Sequence, residues 1–275
     1  MVKKIALIVN FDKNNALEVS TRLINMLQGK AEIYCPEDDS AQLLGTSPLS
    51  EEKLYSSCPI VVVLGGDGTI IATAKKCAPY GNILVGINTG HLGYLSTMES
   101  SNLEDVSTML LDGNIPYDNR YMLTVRVFSG GVEKETVHAL NEIVLSRCAN
   151  SHLIDFTAIG DEKALCSYRA DGMIVATPTG STAYSLSAGG PILAPDTDAM
   201  VITPICPHML KARSIVLPTK PIKIKASSET ELSVDGQLIC TVDAADYITV
   251  EKSLYTAKLA HNKDLSFYDI LQLKL

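Results

Sequence analysis

The sequence predicts two domains: a Rossmann-like, three-layer α/β domain, followed by a β-rich domain that resembles an antiparallel β-sandwich. In the first hundred residues, strand-like apolar runs alternate with segments of helical periodicity, which is typical of a doubly wound sheet. Beyond about residue 115, short strand-like segments follow one another, separated by turn signals. We therefore predict domains at 1–115 and 116–252, with 253–275 as a candidate to pack back on the first domain.

The N-terminal domain is predicted from apolar runs separated by amphipathic stretches. The segment 15–27 places Leu17, Leu23, Ile24 and Leu27 on one helical face, and Ile60 to Leu64 reads as a strand buried on both faces. The polar stretch 36–50 is predicted to be a loop. The predicted strands are 4–10, 31–35, 60–64 and 83–87, and the predicted helices are 15–27, 69–77 and 102–111.

The C-terminal domain is predicted from short runs that are rich in β-branched and aromatic residues. One helix is expected at 181–189. The predicted strands are 121–128, 133–145, 156–159, 163–168, 172–176, 222–226, 231–234 and 237–241.

Composition excludes several classes of protein. Of the 275 residues 46% are hydrophobic, yet the apolar runs are strand-sized, far short of the roughly 20 residues that span a bilayer. The net charge of −8 and the lack of basic clusters argue against nucleic acid as a partner. The seven cysteines are scattered without a CxxC pair, so we expect neither a disulfide framework nor a zinc site. Free cysteines are typical of a reducing compartment, and we therefore expect the protein in the cytoplasm.

A glycine-rich loop follows the strand at 60–64, where open α/β sheets bind ligands. Gly65, Gly66 and Gly68 let backbone N–H groups approach an anion, and Thr69 is the expected N-cap of the next helix. Asp67 would repel a phosphate, which suggests that it holds a cation or accepts a proton from an attacking hydroxyl. The alternative is an ordinary turn, because Gly and Asp both favour turns.

Two further stretches carry polar groups in ordered positions. In 168–191, Pro178 and Gly180 are expected to shape a loop, and Ser181 or Thr182 can cap the helix that follows. The many hydroxyl groups of this stretch could bind a ribose, an amide or a phosphate. The alternative is a Ser/Thr-rich surface turn. Asn141 and Glu142 interrupt a predicted strand and should lie on opposite faces, serving either a ligand or a buried structural pair. Neither a Walker loop nor a GxGxxG fingerprint is present, and the five separated histidines predict no metal site.

Taken together, these stretches resemble the NAD kinase family. GGDGT alone also occurs in diacylglycerol kinases and, in similar form, in phosphofructokinases, whereas 177–192 is specific to NAD kinases. The matching motifs are GGDGT at 65–69, NTGHLGYL at 88–95, ALNEIVLSR at 139–147, RADG at 169–172, TPTGSTAYSLSAGGPI at 177–192, TPICPH at 203–208 and VDGQ at 234–237.

The resemblance implies transfer of a terminal phosphoryl group to the 2′-hydroxyl of the adenosine ribose of NAD. Asp67 would be the catalytic base, and Gly65, Gly66, Gly68 and Thr69 would form the donor phosphate loop. A divalent cation, usually Mg²⁺, would neutralise the donor's phosphates, and the enzyme would be a homodimer or homotetramer. The implied NAD contacts are Asp67, Gly68, Asn141, Glu142, His152, Arg169, Asp171, Thr182, Ala183, Tyr184, Ser185, Leu186, Ser187 and Gln237.

The sequence departs from the family pattern at two positions. Ala72 stands where many members carry a basic residue, so a phosphate contact is either missing or supplied by Lys75, and Val234 replaces the usual Ser before DGQ. Arg169 resembles the residue of members that prefer NAD over NADH. The sequence does not choose between ATP and polyphosphate as donor, and a lipid or sugar kinase and a non-catalytic dinucleotide sensor are the alternative functions.

Overall fold

The computed structural model describes residues 3–90, 93–95, 98–149 and 152–275. It divides into two compact units, Met1–Arg120 with Tyr255–Leu275, and Tyr121–Leu254. The first is an α/β unit with a parallel sheet and the second is built from antiparallel strands, so the predicted fold class is confirmed. None of the described helices is long and apolar enough to span a membrane.

The first unit has a parallel sheet in the order β5-β4-β1-β2-β3, with helices between successive strands. Its elements, in chain order, are β1 (Lys3–Val9), α1 (Ala16–Leu27), β2 (Ala31–Pro36), α2 (Asp39–Leu44), β3 (Ser47–Leu49), α3 (Glu51–Ser57), β4 (Ile60–Leu64), α4 (Asp67–Cys77), β5 (Ile83–Asn88), β6 (Met98–Glu99) and α5 (Leu103–Asp112).

Strand β4 confirms the prediction of a strand covered on both faces, because all five of its residues are buried. Two other predictions for this unit are wrong. The expected loop at 36–50 contains α2 and β3, in which only Ser40 and Ala41 are buried, so these short elements give little apolar periodicity. In α1, Leu23 and Leu27 of the predicted face are buried together with Ala16 and Val19, whereas Leu17 is 45% exposed, so the buried face is displaced from the predicted one.

The second unit contains two antiparallel sets of strands. Its elements are β7 (Tyr117–Ser129), β8 (Val132–Ala139), β9 (Glu142–Arg147), β10 (Ile154–Gly160), β11 (Lys163–Ala170), β12 (Gly172–Ala176), α6 (Tyr184–Ser187), β13 (Ala199–Ile205), β14 (Ile215–Pro218), β15 (Ile222–Ala226), β16 (Thr230–Val234), β17 (Gln237–Val242) and β18 (Tyr247–Ala260). Strands β7 and β18 each have residues in both units, and the chain ends with α7 (Phe267–Lys274) in the first unit.

One set of strands in the second unit forms a six-stranded sheet in the order β14-β13-β12-β9-β16-β17. The other set includes β11-β10-β15-β18, and apolar side chains such as Phe156, Met173 and Ile248 are buried in the core of the unit. The strand predicted at 133–145 is two strands, β8 and β9, and the predicted helix at 181–189 is a 3-10 turn (Gly180–Thr182) followed by the single turn α6. Both corrections fall where the candidate site residues lie.

Candidate active site

The glycine-rich loop joins β4 to α4. The helix begins at Asp67, and Gly66 is its N-cap with an extended backbone, φ −97° and ψ −177°. Thr69, which we expected to be the N-cap, instead lies in the first turn, where its Oγ1 accepts a hydrogen bond from Asn10 Nδ2 at 3.1 Å. The N-cap, and with it the free N–H groups of the helix, therefore lies three residues earlier than the sequence suggested, and Asp67 itself is part of the first turn.

The Asp67 carboxylate is held in place by the backbone of a neighbouring loop. The N–H of Tyr94 donates to Oδ2 at 2.9 Å, and the N–H of Leu95 donates to Oδ1 at 3.3 Å. Both residues belong to the motif at 88–95, of which His91 and Leu92 lie outside the described residues. A carboxylate has about four lone-pair sites, so its chemistry allows it to accept hydrogen bonds from more groups than these two N–H donors.

The lysine beside the glycine loop is Lys13, not Lys75, which the sequence suggested as a phosphate contact. Lys75 lies in the last turn of α4, eight residues beyond Asp67 and therefore roughly 12 Å away along the helix axis. Lys13, which follows β1, has its Cε 4.0 Å from the point where a β-carbon at Gly66 would lie. The hydrogen bond between Asn10 and Thr69 fixes this part of the chain against the loop.

Asn141 and Glu142 lie in the second unit, where the chain passes from β8 to β9. Glu142 is the first residue of β9 and pairs with Ala176 at the end of β12, while Ile143 pairs with Val234 at the end of β16. We expected the two polar residues inside one continuous strand, on opposite faces. The expectation of one continuous strand was wrong, because Asn141 lies in the break between β8 and β9; each of the two side chains is buried.

These two side chains carry polar atoms without a protein partner. Asn141 is 8% exposed and Glu142 is 7% exposed, and within the described residues Asn141 Oδ1 and Glu142 Oε2 accept no hydrogen bond. Burial and, to a lesser extent, the negative charge of Asp235 raise the pKa of the Glu142 carboxyl to about 7, against the opposing effect of the N–H of Tyr184. Because buried polar atoms normally find partners, this pair indicates a polar ligand.

The segment 177–187 packs directly against this pair. The N–H of Thr177 donates to the Asn141 carbonyl at 2.8 Å, and its Oγ1 donates to the Leu140 carbonyl at 2.7 Å. Of the hydroxyls predicted to contact NAD, that of Thr182 bonds the Thr179 carbonyl at 3.1 Å, and that of Ser185 is fully buried against Thr203 at 2.9 Å. The segment therefore uses several of its hydroxyls to hold its own shape.

The remaining members of the predicted 182–187 contact set differ in accessibility. Tyr184 is 45% exposed, Ser187 is exposed, and Ala183 and Leu186 are partly buried. Gln237 is exposed at the start of β17, close in the fold to Val234 and thus at the same end of the sheet as Glu142.

The other predicted NAD contacts lie at the opposite end of β12. Asp171 immediately precedes the strand, and Ala176, which pairs with Glu142, ends it. Roughly 15 Å of extended chain therefore separates Asp171 from Ala176. Asp171 accepts a hydrogen bond from Arg147 Nε at 2.7 Å, and Arg169 is exposed nearby. His152 is exposed two residues before Ile154, which pairs with Ala170. The predicted site residues of this unit thus form two groups.

Sequence reasoning missed one residue that organises the first group. Asp235 lies in the turn between β16 and β17 and accepts three backbone hydrogen bonds from residues 140–142. The signal was present, because an Asp-Gly pair between two short strands is a strong indication of a hairpin turn. What no local pattern could show is which distant chain segment the turn would contact.

Comparison with known proteins matches both halves of the chain to one family. The model for the ATP-NAD kinase N-terminal domain matches residues 5–115, and the model for the ATP-NAD kinase C-terminal domain matches residues 140–262. The NAD kinases of Symbiobacterium thermophilum and Caldanaerobacter subterraneus are each 38% identical to the chain. They align with 99% and 100% of it and with 98% and 99% of their own lengths.

Solved structures give the same result for the fold. Yeast NADH kinase complexed with NADH superposes with a TM-score of 0.89 at 25% identity, over 98% of this chain and 86% of its own. An NAD kinase from Archaeoglobus fulgidus in complex with ATP superposes with a TM-score of 0.76 at 26% identity, over 100% and 98%. With its two halves matching the two domains of ATP-NAD kinases and its whole length aligned to the relatives, this chain belongs to the NAD kinase family.

Proposed function

We propose that this enzyme transfers the terminal phosphoryl group of ATP, or of another phosphoryl donor, to the 2′-hydroxyl of the adenosine ribose of NAD, giving NADP. Membership of the family supports the reaction. The observation in this structure that carries the proposal is the pair of buried oxygens on Asn141 and Glu142, which have no hydrogen-bond partner among the described residues and suit the hydroxyl and amine donors of an adenosine.

For the acceptor, we propose that Asn141 and Glu142 bind the adenosine half of NAD, with Tyr184 and Gln237 at the margin of the same site. Asp171, Arg169 and His152 lie about 15 Å away along β12, a separation that suits the other half of an extended dinucleotide. The positive charge of Arg169 would favour one redox form of the nicotinamide. Equal kcat/KM for NAD and NADH would contradict this role of Arg169.

For the donor, we propose that the first-turn N–H groups of α4 and the ammonium of Lys13 bind phosphate oxygens. Asp67 accepts the proton of the attacking hydroxyl. A carboxylate is a weak base for a sugar hydroxyl, but the loose transition state of phosphoryl transfer demands little early proton removal. Asp67 therefore acts mainly by orienting the hydroxyl, and its own orientation is set by the N–H groups of Tyr94 and Leu95.

A divalent cation fits this donor site when it is carried by the donor. Within the described residues, no three His, Cys, Asp or Glu side chains are placed to hold a metal ion. Mg²⁺ usually keeps several waters and binds through substrate phosphates and one or two carboxylates, a role that Asp67 can fill. When bound, the cation neutralises charge on the phosphates, which would otherwise repel the Asp67 carboxylate.

We further propose that the enzyme works in the cytoplasm as a homodimer or homotetramer. All seven cysteines are free thiols, which suits a reducing compartment. Light scattering on the purified protein gives the number of subunits directly.

The proposed reaction is tested by incubating the purified protein with NAD, Mg²⁺ and either ATP or polyphosphate, and measuring NADP. NADP formation with at least one donor is expected, and the two assays together identify the donor. Binding of NAD with no turnover under either donor would contradict the kinase and favour a dinucleotide sensor. Turnover of diacylglycerol or a sugar phosphate, but not of NAD, would favour the lipid or sugar kinase alternative.

A further inference from the structure

Asp235 occupies the first position of a two-residue hairpin turn between β16 and β17. Its φ is 47° and that of Gly236 is 78°, so both residues have the left-handed backbone that a type I′ turn requires. Asp tolerates this conformation better than most residues, and Gly adopts it without strain. The turn projects the Asp235 carboxylate onto the segment where β8 ends and β9 begins.

The carboxylate accepts hydrogen bonds from three consecutive backbone N–H groups. Leu140 donates to Oδ2 at 3.0 Å, while Asn141 and Glu142 donate to Oδ1 at 2.8 and 3.1 Å. In return, the N–H of Asp235 donates to the Glu142 carbonyl at 3.0 Å. Four hydrogen bonds thus connect one turn residue to a three-residue segment that is distant in sequence.

Three consecutive N–H groups that converge on one point form a concave anion site, and here the anion is supplied by the protein itself. An extended strand would direct these N–H groups to alternate sides, so the convergence depends on the break between β8 and β9. Without the Asp235 carboxylate the three groups would lose their shared acceptor. The segment would then relax towards a different backbone, and the directions of its side chains would change with it.

The segment that Asp235 holds is the one whose buried oxygens Asn141 Oδ1 and Glu142 Oε2 find no hydrogen-bond partner in the part of the chain that the structure describes. We propose that Asp235 is a positioning residue for NAD recognition, fixing the backbone of 140–142 so that the Asn141 and Glu142 side chains meet the adenosine half of NAD. The inference rests on the proposed function, because it takes NAD as the ligand of this pair.

Asp235 has a second, electrostatic effect on the same pair. The burial of Glu142 and, after it, the negative charge of Asp235 disfavour the ionised form of Glu142, whose pKa is raised to about 7 against the opposing N–H of Tyr184. A protonated Glu142 can donate a hydrogen bond to a ribose oxygen or a ring nitrogen, which a carboxylate cannot do. Asp235 therefore fixes the backbone that carries this group and adds to the effect of burial on its pKa.

The test is Asp235→Asn, because Asn keeps the shape of the side chain and tolerates the turn, but loses the charge and one of the two acceptor oxygens. We expect Kd and KM for NAD to rise at least tenfold with KM for the donor unchanged. We also expect faster amide hydrogen exchange at 140–142 in the free protein. The pH midpoint of NAD binding should fall, because the like charge beside Glu142 is removed.

Asp161→Asn is the matched control. Asp161 also has a positive φ, 48°, in the hairpin turn between β10 and β11, but its exposed carboxylate faces Lys220 at 3.5 Å instead of the site. This variant should have the NAD affinity of the wild type and the same rate of amide hydrogen exchange at 140–142. If Asp235→Asn is unfolded by circular dichroism, Asp235→Gly supplies a turn-compatible residue without any acceptor and should give the same losses.

Wild-type affinity for NAD in folded Asp235→Asn and Asp235→Gly would overturn the inference. So would a loss of affinity with unchanged exchange at 140–142, because the effect would then not act through the backbone. A wild-type protein that neither binds NAD nor forms NADP would instead overturn the proposed function. The exchange measurement needs no ligand, so these two failures are distinguishable.

Discussion

Gly180 lies directly against the main chain of Asn141, with no space for a side chain between them. A β-carbon at Gly180 would overlap the carbonyl carbon and oxygen of Asn141 and would lie 2.7 Å from its Cα. The same carbonyl accepts the N–H of Thr177 at 2.8 Å. Asn141 is therefore positioned from two sides, by the loop 177–180 and by the Asp235 carboxylate.

Gly180→Ala should displace Asn141 and weaken NAD binding. Because the obstacle is main chain that cannot rotate away, we expect a loss of stability of roughly 1–3 kcal/mol and at least a tenfold rise in Kd for NAD. Calorimetric titration with NAD and urea unfolding measure the two effects.

Gly160→Ala is the control for this substitution. A β-carbon there would lie 2.9 Å from Leu165 Cδ1, the tip of a side chain that is 39% exposed and free to rotate. This variant should keep both stability and NAD affinity. Unchanged NAD affinity in Gly180→Ala would show that the position of Asn141 does not limit binding.

Glu142→Gln should make the protein more stable at pH 8 while weakening NAD binding. The folded-state pKa of Glu142 is raised from 4.5 to about 7, so the folded protein binds the proton more tightly than the unfolded chain. The stability of the wild type should therefore fall as the pH rises from about 4.5 to about 7, by roughly 3 kcal/mol at most from this group. Gln cannot ionise, so this decrease should be absent from the variant.

Urea unfolding at pH 5 and pH 8 tests this prediction through the difference between wild type and variant. Glu135→Gln, at an exposed position on β8, should leave the pH dependence of stability unchanged. If the free energy of unfolding changed by the same amount between pH 5 and pH 8 in the wild type and in Glu142→Gln, Glu142 would be ionised across this range in the folded protein.

Local patterns predicted those parts of the fold that local forces determine. Strand β4 could be predicted because Ile60 to Leu64 is continuously apolar, and its carboxyl end located the glycine loop. Helix α3 was missed although Ser50 followed by Glu51 and Glu52 is a helix-start signal, because only Leu54 and Tyr55 of its seven residues are buried. Its position depends on packing against the rest of the unit.

Several polar residues of the candidate site stood out in the sequence, but their arrangement in the fold did not. The polar pair at 141–142 stood out because it interrupts an apolar run, yet the break between β8 and β9 leaves no mark in the alternation of residues. The break is maintained by Asp235 and Thr177, which are far from it in sequence and contact its backbone. Hydrogen bonds to the main chain do not depend on the identity of the residue contacted, so no sequence pattern at 140–142 could reveal them.

Asp67→Asn should abolish turnover while preserving NAD affinity. Asn keeps one oxygen to accept an N–H from Tyr94 or Leu95, but it cannot take a proton from the attacking hydroxyl. We expect kcat to fall by about 10²–10⁴, the usual contribution of a general base. Steady-state kinetics measure kcat, and calorimetric titration measures the affinity for NAD. Asp12→Asn, at an exposed position near the same loop, is the control and should behave like the wild type in both measurements. Retained turnover in folded Asp67→Asn would remove Asp67 from the mechanism.

Lys13→Met should weaken binding of the phosphoryl donor, because Lys13 lies beside Gly66 at the start of α4. A hydrogen bond from a charged donor contributes roughly 1.5–3 kcal/mol, so KM for the donor should rise about 10- to 100-fold with KM for NAD unchanged. Lys75→Met is the matched control, since Lys75 is at the other end of α4 and its loss should leave both KM values unchanged. The opposite pattern, with the donor KM raised only in Lys75→Met, would mean that α4 binds the donor along its side and that Lys13 has no part in it. Because a methionine preserves the apolar stem of either lysine, the difference between the two variants measures the charge at each position and nothing else.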